Sequence, residues 1–391
     1  MPDNLLPSML LGCGALLFLG LALHPFLTYP LSLGIARRLG WARPNSVSSD
    51  APPTKLSVVF CAFNEQRVLA DKLDNLLGLR AACPEFELEI LVYDDCSADR
   101  TPEILGSYAG RIDFLRGEAR AGKSTGMNRL VERATGEIVI FTDANVMLSP
   151  ELIRSFAGVF RDPEVGVACS HLVYVNEETA TASAGTSYWR LEETIKQLES
   201  ETGSVMGADG SAFAIRRRLH VPAPQDVDDD FHTSMSILSQ GYRIVRCPDA
   251  LAWEKSVTQS GQEFFRKVRI ACRAINCHRR LRPALRRMSL WNRYKYYSHK
   301  WVRWHTALWL VLASLCVILF AFSGYGPVAG FAVAALAVGG VAAAWLLNRA
   351  GVPKLGSVWE VLLAFVATMY GVWRAFRGER FETWTPASSA R

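Results

Sequence analysis

The sequence predicts an α/β domain, a mostly parallel sheet covered by helices, carried between apolar segments at its two ends. Three observations predict it. Apolar strand-like runs alternate with helical spacings between residues 56 and 141, and three of those runs end in polar, mainly acidic residues. The apolar excess collects near the N-terminus and after residue 303. With 391 residues, 50% hydrophobic and 20% charged, and a formal net charge of +6, the chain is too apolar for an ordinary soluble enzyme and too charged for a pure membrane bundle.

Leu5 to His24 is an apolar run long enough to cross a bilayer. The start MPDN lacks the basic region of a signal peptide, and Arg37, Arg38 and Arg43 follow the run. The positive-inside rule therefore expects the N-terminus outside and the next domain in the cytoplasm. LSVVF (56–60) reads as a buried strand, and Glu65 to Leu79 has helical spacing at Val68, Leu69, Leu73, Leu76 and Leu77. LEILVY (88–93), RIDFLR and EIVIF (137–141) read as further strands, with helices expected over Pro102 to Tyr108 and Ser124 to Ala134. Trp304 to Phe322 and Val328 to Leu347 read as two more spans, and Val358 to Val372 as a shorter third. A full third crossing would put the tail RAFRGER outside, against the charge rule. Nine cysteines without a CxxC pair read as reduced, buried thiols.

Ligands of open parallel sheets bind beyond the carboxyl ends of the strands. Ala62, Phe63, Asn64 and Glu65 follow the first strand, Asp94 to Ser97 the second, and Thr142 to Asn145 the fourth. Asp95, Ser97 and Asp143 could each cap the next helix. Together the three polar ends point to one shared site. GxGxxG and Walker sequences are absent, which excludes their phosphate loops. Carboxylates with Asn145 suit a hard divalent cation bridging to a diphosphate, while Asp95 could instead accept hydrogen bonds from a nucleotide base or sugar. Lys123 adds a cation at the same edge.

QDVDDDFHTSM (225–235) gathers Asp226, Asp228, Asp229 and Asp230 at a predicted helix start, where the helix dipole stabilises carboxylates. Asp226 and Asp228 are expected to be solvated. Tyr188, Leu191, Ile195 and Leu198 form one packing face of a helix. His171 and His232 have no partner at metal-ligand spacing and are read as structural, with His232 close enough to tune Asp230. Arg266 to Arg303 is rich in Arg and Lys, lacks Asp and Glu, and is interleaved with Trp and Tyr. Its place before spanning segments favours an interfacial belt on anionic lipid over nucleic-acid binding.

These residues resemble the inverting family 2 glycosyltransferases of GT-A fold, of the membrane-embedded kind similar to cellulose, hyaluronan and poly-N-acetylglucosamine synthases. The resemblance runs in order through SVVFCAFNEQ, YDDCSADRT, GKSTGMNRL, GEIVIFTDAN, GADGSAFAIRR, DVDDDFHTS and RKVRI to the terminal apolar segments. It implies that Ala62 to Glu65 and Asp95 hold the nucleoside, that Lys123 lies near the diphosphate, and that Asp143 and Asn145 stand at the DxD position for Mg2+ or Mn2+. Asn145 replaces the second carboxylate. Asp229 and Asp230 fall on the family's Glu-Asp pair, about a dozen residues before Gly241, which implies Asp230 as the general base and Asp229 as runner-up. The loop within Ser204 to Ile215 implies an acceptor side, its glycines letting backbone approach closely. The QxxRW motif falls on Arg266 to Ile270, where Arg266 replaces Gln and Ile270 replaces Trp. Arg269 remains to stabilise a departing diphosphate.

The resulting expectation is an α/β GT-A cytoplasmic domain with N- and C-terminal transmembrane helices, integral to a bacterial inner membrane. Its parts are an anchor and linker (1–50), a glycosyltransferase domain (51–255), a basic membrane-interface segment (256–303) and a C-terminal transmembrane region (304–391). It would move a sugar from a nucleotide diphosphate sugar, UDP-linked, to a lipid or lipid-linked acceptor, with membrane lipids and not nucleic acid as its other partners. A processive polysaccharide synthase and a catalytically inactive membrane scaffold are the alternatives.

Overall fold

The computed structural model describes residues 5–44, 52–175, 180–255 and 260–383. The expected domain boundaries at 50/51 and 255/256, and the packing of the Tyr188 side chain, lie outside the described residues. An apolar helix α1 (Leu5–Leu23) leads into a short α2 (Thr28–Ala36). Strand β1 (Lys55–Ala62), α3 (Leu69–Ala82), β2 (Glu87–Asp94), α4 (Thr101–Ser107), β3 (Asp113–Arg116), α5 (Lys123–Arg133) and β4 (Ile138–Thr142) then alternate as the sequence predicts. β5 (Met147–Leu148), α6 (Pro150–Val159), β6 (Val165–Val175), α7 (Ala180–Glu201), β7 (Ala212–Arg216), α8 (Asp229–Ser239) and β8 (Arg243–Lys255) complete the domain. The chain continues through α9 (Ser260–Leu285), α10 (Leu290–Tyr296), a five-residue π turn (Tyr297–Trp301), α11 (Val302–Trp304) and three long apolar helices, α12 (Thr306–Tyr325), α13 (Pro327–Arg349) and α14 (Pro353–Phe376).

The strands form one eight-stranded sheet in the order β3-β2-β1-β4-β7-β6-β8-β5. β1 runs parallel to β2 and β4, β2 to β3, and β6 to β8, while β7 is antiparallel to both its neighbours. Side chains alternate across a strand. Leu56, Val58, Phe60 and Ala62 of β1 therefore join one apolar layer, with α3 and α6, and Val59 and Cys61 the other, with α5 and α8. Burial on both faces is why the strands read as continuous apolar runs.

Among the described residues, four helical segments are long and apolar enough to cross a membrane: Leu6–Leu23, Thr306–Tyr325, Pro327–Arg349 and Val358–Phe376. α1 packs along α12, where the Phe18 and Trp309 rings stack at 6.2 Å. α14 docks differently. Its Val372 and Ala375 pack on Cys272 and Ile275 of α9, and Arg279 Nη1 donates to the Ala375 carbonyl at 2.8 Å. The chain beyond α14 returns to the α/β domain. Asn276 Nδ2 donates to the Glu379 carbonyl (3.1 Å) and Arg273 Nη1 to that of Phe381 (2.6 Å). Gly122 lies beneath this segment with φ +85°, and a Cβ there would strike the Glu382 carbonyl.

The basic segment differs from the expected interfacial belt. Several of its cations are internal, because they neutralise carboxylates brought in by α7. Tyr29 of α2 donates to Glu199 Oε1 at 2.5 Å. His299 bridges Glu199 (2.8 Å) and Glu192 (2.9 Å), and Arg303 bonds Glu192. Lys295, fully buried, donates to the carbonyls of Glu199 (2.8 Å) and Thr202 (3.0 Å). Burial alone would raise the Glu192 pKa, but Arg303 and His299 outweigh it and hold the carboxyl well below the usual range.

Candidate active site

The parallel strands β1, β2 and β4 end on one edge, so their following loops meet there. After β1, Asn64 adopts φ 54° and is held from both sides: its N–H donates to Ser97 Oγ (2.9 Å) and its Oδ1 accepts from the Ala98 N–H (2.9 Å). Glu65 N–H donates to Thr101 Oγ1 at 2.8 Å. Asn64, Glu65 and Asp99 line a cavity of about 390 Å³ at this edge. Phe63 is buried beneath the Arg120 guanidinium, 3.7 Å from its ring, and Ala62 is fully buried in the sheet. Ala62 therefore shapes the edge from within.

Asp95 is also fully buried, and its carboxylate accepts from the Ala121 N–H (2.8 Å) and the Gly122 N–H (3.1 Å). It thus anchors the start of α5, the capping role, although the helix is not the next one in the chain. That anchor aims Lys123, the first residue of α5, into the site. Lys123 Nζ stands 2.7 Å from Asp143 Oδ1 and 3.7 Å from Asp229 Oδ2. Burial alone would lower its pKa, but Asp143, Asp229 and Asp230 outweigh it and keep the ammonium charged.

A methyl group on Gly210 would lie 3.1 Å from Asp230 Oδ2 and 3.5 Å from Lys123 Nζ. The GADG loop (207–210) therefore closes over the cluster, as the glycines suggest. Asp230 Oδ1 accepts the N–H of Phe231 at 2.7 Å, which leaves Oδ2 facing that loop. Burial, then the Asp229 and Asp228 charges, pushes the Asp230 pKa well above the carboxylate range. Asp229 Oδ2 is buried and accepts no hydrogen bond among the described residues.

Two residues of the site escaped the sequence reading. Lys72 is fully buried on the apolar face of α3, and its ammonium donates to Thr142 Oγ1 (3.1 Å) and the Val146 carbonyl, fixing the loop that carries Asp143. Burial brings its pKa down to about 7. Glu254 arrives because β5 pairs with β8, Met147 opposite Trp253. Its Oε1 accepts from Asn145 Nδ2 at 3.1 Å, and burial with the Asp143 charge raises its pKa to about 7. Asp143, the Asn145 amide and Glu254 carry the oxygen atoms at this edge that could hold a hard cation such as Mg2+ or Mn2+. Among the described residues no group of three His, Cys, Asp or Glu side chains gathers as metal ligands, so the set holds two carboxylates and one amide.

The expected solvation of Asp226 and Asp228 is overturned. Asp226 pairs with Arg280 (2.7 Å) and Asp228 with Arg273 (3.1 Å), because α9 lays its basic face along the start of α8. Arg266 is engaged by Glu263 at 2.7 Å, whereas Arg269 forms no ion pair among the described residues. His232 is kept neutral, its pKa lowered to about 4 first by burial and then by Arg280. Asp230 and His232 share no hydrogen bond among the described residues.

Residues 57–221 match the model of Glycosyl transferase family 2, a stretch that takes in the strand-end residues and Lys123 and stops short of Asp229 and Asp230. The chain is 26% identical over 229 residues to an N-acetylglucosaminyltransferase of Rhizobium sp. (strain N33), covering 54% of this chain and 50% of that protein. It is 26% identical over 176 residues to the beta-monoglucosyldiacylglycerol synthase of Trichormus variabilis, covering 42% and 36%. The chain thus spans about half the length, or less, of these two curated relatives. A mannosyltransferase from Pyrobaculum calidifontis, solved in complex with GDP-Man and Mn2+, superposes with a TM-score of 0.68 at 21% identity, covering 95% of this chain and 100% of that one. At that identity the likeness concerns the fold. Residues 57–221 are therefore similar to the family 2 glycosyltransferases, and the domain that carries the site has the GT-A fold.

Proposed function

We propose that the enzyme transfers a sugar, with inversion, from a UDP-linked donor to a hydroxyl of a lipid or lipid-linked acceptor at the bacterial inner membrane, with the catalytic domain in the cytoplasm. The observation that carries this reading is Lys123, whose ammonium ties Asp143 at the donor edge to the Asp229–Asp230 pair. The nucleoside would lie along Phe63 to Glu65 and the cavity beside them, and the diphosphate toward Lys123. Of Arg266 and Arg269, the two arginines at the QxxRW position, Arg269 is the one with charge to spare for the departing diphosphate. Asp143, Asn145 and Glu254 would hold the divalent cation, which supplies charge neutralisation of the diphosphate when bound.

Asp230 Oδ2 takes the acceptor proton as the hydroxyl oxygen bonds to the anomeric carbon. The bond from that carbon to the diphosphate breaks on the opposite face, its electron pair leaving with the nucleoside diphosphate. The raised Asp230 pKa makes the carboxylate a stronger base than a solvated one. Ile270, 40% exposed in place of an aromatic platform, favours addition of one sugar or very few over a polymer. The name of the Trichormus relative supports a lipid acceptor, and its partial coverage leaves the acceptor to experiment.

A screen of UDP- and GDP-sugars with purified protein and lipid extract, read by thin-layer chromatography and product mass, tests the proposal. A discrete glycolipid from a UDP-sugar is the expected result. Long, enzyme-retained polymer made from donor alone would replace this reading with the synthase.

A further inference from the structure

Between α2 and the outer face of α7 lies a cavity of about 710 Å³, and none of its lining residues belongs to the site above. Its α2 wall is apolar, with Leu31 62% and Ile35 49% exposed. The rest of its lining holds four guanidinium groups, Arg37, Arg38, Arg190 and Arg246, against one carboxylate, Glu193. Glu193 is used by Arg246 at 2.6 Å, and Arg37 pairs with Glu201 at 2.9 Å. Arg38 and Arg190 are exposed and form no ion pair among the described residues. Two positive charges are therefore in surplus beside an alkyl surface.

The position of the groove decides what fits it. α2 starts at Thr28, shortly after the candidate span α1 ends at Leu23. The groove therefore opens where lipid headgroups meet the chain. A soluble phosphate would satisfy the guanidinium groups and leave the apolar wall in water; a zwitterionic lipid would cover the wall and leave the surplus charge. We propose that the groove binds an anionic glycerophospholipid, its phosphate between Arg38 and Arg190 and an acyl chain along Leu31 and Ile35. This lipid is a component of the bilayer, separate from the acceptor of the reaction.

The test uses the full chain in mild detergent, titrated with phosphatidylglycerol or phosphatidylcholine and read by native mass spectrometry. Arg38→Glu with Arg190→Glu should weaken phosphatidylglycerol binding about thirtyfold, two surface charges at the usual scale. Arg286→Glu with Arg287→Glu, exposed elsewhere, should leave it in place. Leu31→Asp should weaken it with both arginines intact. Millimolar inorganic phosphate should not displace the lipid. Unchanged binding in the double variant or in Leu31→Asp, equal binding of phosphatidylcholine, or displacement by phosphate each overturns the proposal. Retained donor hydrolysis identifies folded variants. Where the glutamates prevent folding, Arg38→Gln with Arg190→Gln carries the same test. Because the readout is lipid occupancy, failure here leaves the transferase reading standing, and failure of that reading leaves this one.

Discussion

Two of the buried ionic clusters among the described residues, both built on carboxylates, differ in balance. Around His299, the carboxylates Glu192 and Glu199 meet an imidazole, a guanidinium and a tyrosine hydroxyl. Around Lys123, three carboxylates share one ammonium: Asp143 and Asp229 stand near it, and Asp230 lies just beyond, across Gly210. Removing ions from water is costly, and only well-matched partners offset that cost. The first cluster meets that condition and joins α2, α7 and the turn before α11 into one support. The second leaves carboxylate charge unmatched, the state in which a group takes up a proton or a cation.

The largest expected effect belongs to the balanced cluster. Glu192→Ala leaves Arg303 and His299 short of a carboxylate and should lower stability by about 3–5 kcal/mol. Denaturation of the detergent-purified protein measures it. A loss near zero would remove the distinction between the clusters. In the unbalanced cluster the penalty should fall on rate: Asp230→Asn should slow transfer at least about a hundredfold with no loss of stability. Near-normal transfer by Asp230→Asn beside a dead Asp229→Asn would move the base to Asp229.

Metal-dependent donor binding should be lost in Asp143→Ala and preserved or tightened in Asn145→Asp, since a second carboxylate is a better ligand for a hard cation. Donor titrations in Mg2+ and Mn2+ measure both, and full activity in excess chelator would end the metal role. Glu254, with its pKa near 7, binds a cation only when ionised. The metal requirement should therefore ease as pH rises through about 7.

The smallest expected effect is a shift along the pH axis. The base acts when ionised, so transfer should rise with pH through the raised Asp230 pKa. For the same group, stability present below its unfolded pKa is lost as pH rises through the folded one. Asp229→Asn removes the second cause of the upward shift, so the acid limb of the pH–rate profile should move to lower pH. An unmoved limb would show that Asp229 does not tune Asp230.

What could be read in the sequence follows from how local each feature is. Strands β1, β2 and β4 and the residues after them were legible because apolar runs and their ends are contiguous. Asp226 and Asp228 were misread because their partners, Arg280 and Arg273, arrive on α9, roughly fifty residues later. Glu254 was missed because only the β5–β8 pairing sets it beside Asn145. Two signals were present and passed over. Lys72 interrupts the apolar face of Leu69, Leu73 and Leu76, and Glu192, Lys196 and Glu199 share one face of α7 at helical spacing. A charge on a face that must be buried requires a partner elsewhere.

The return of residues 379–383 to α9 sets a parity. If the chain enters with its N-terminus outside and crosses at α1, α12 and α13, it stands on the catalytic side when α14 begins. A fourth crossing would end on the far side, yet Glu379 and Phe381 bond to Asn276 and Arg273 of the catalytic face. On that topology α14 would run along the membrane on that face, with Arg374, Arg377 and Arg380 inside, in keeping with the charge rule. A single cysteine placed after Thr383 in a cysteine-free background should resist an impermeant maleimide in intact cells and react once they are opened. An epitope joined at the same point should emerge beside Gly122 and slow donor entry.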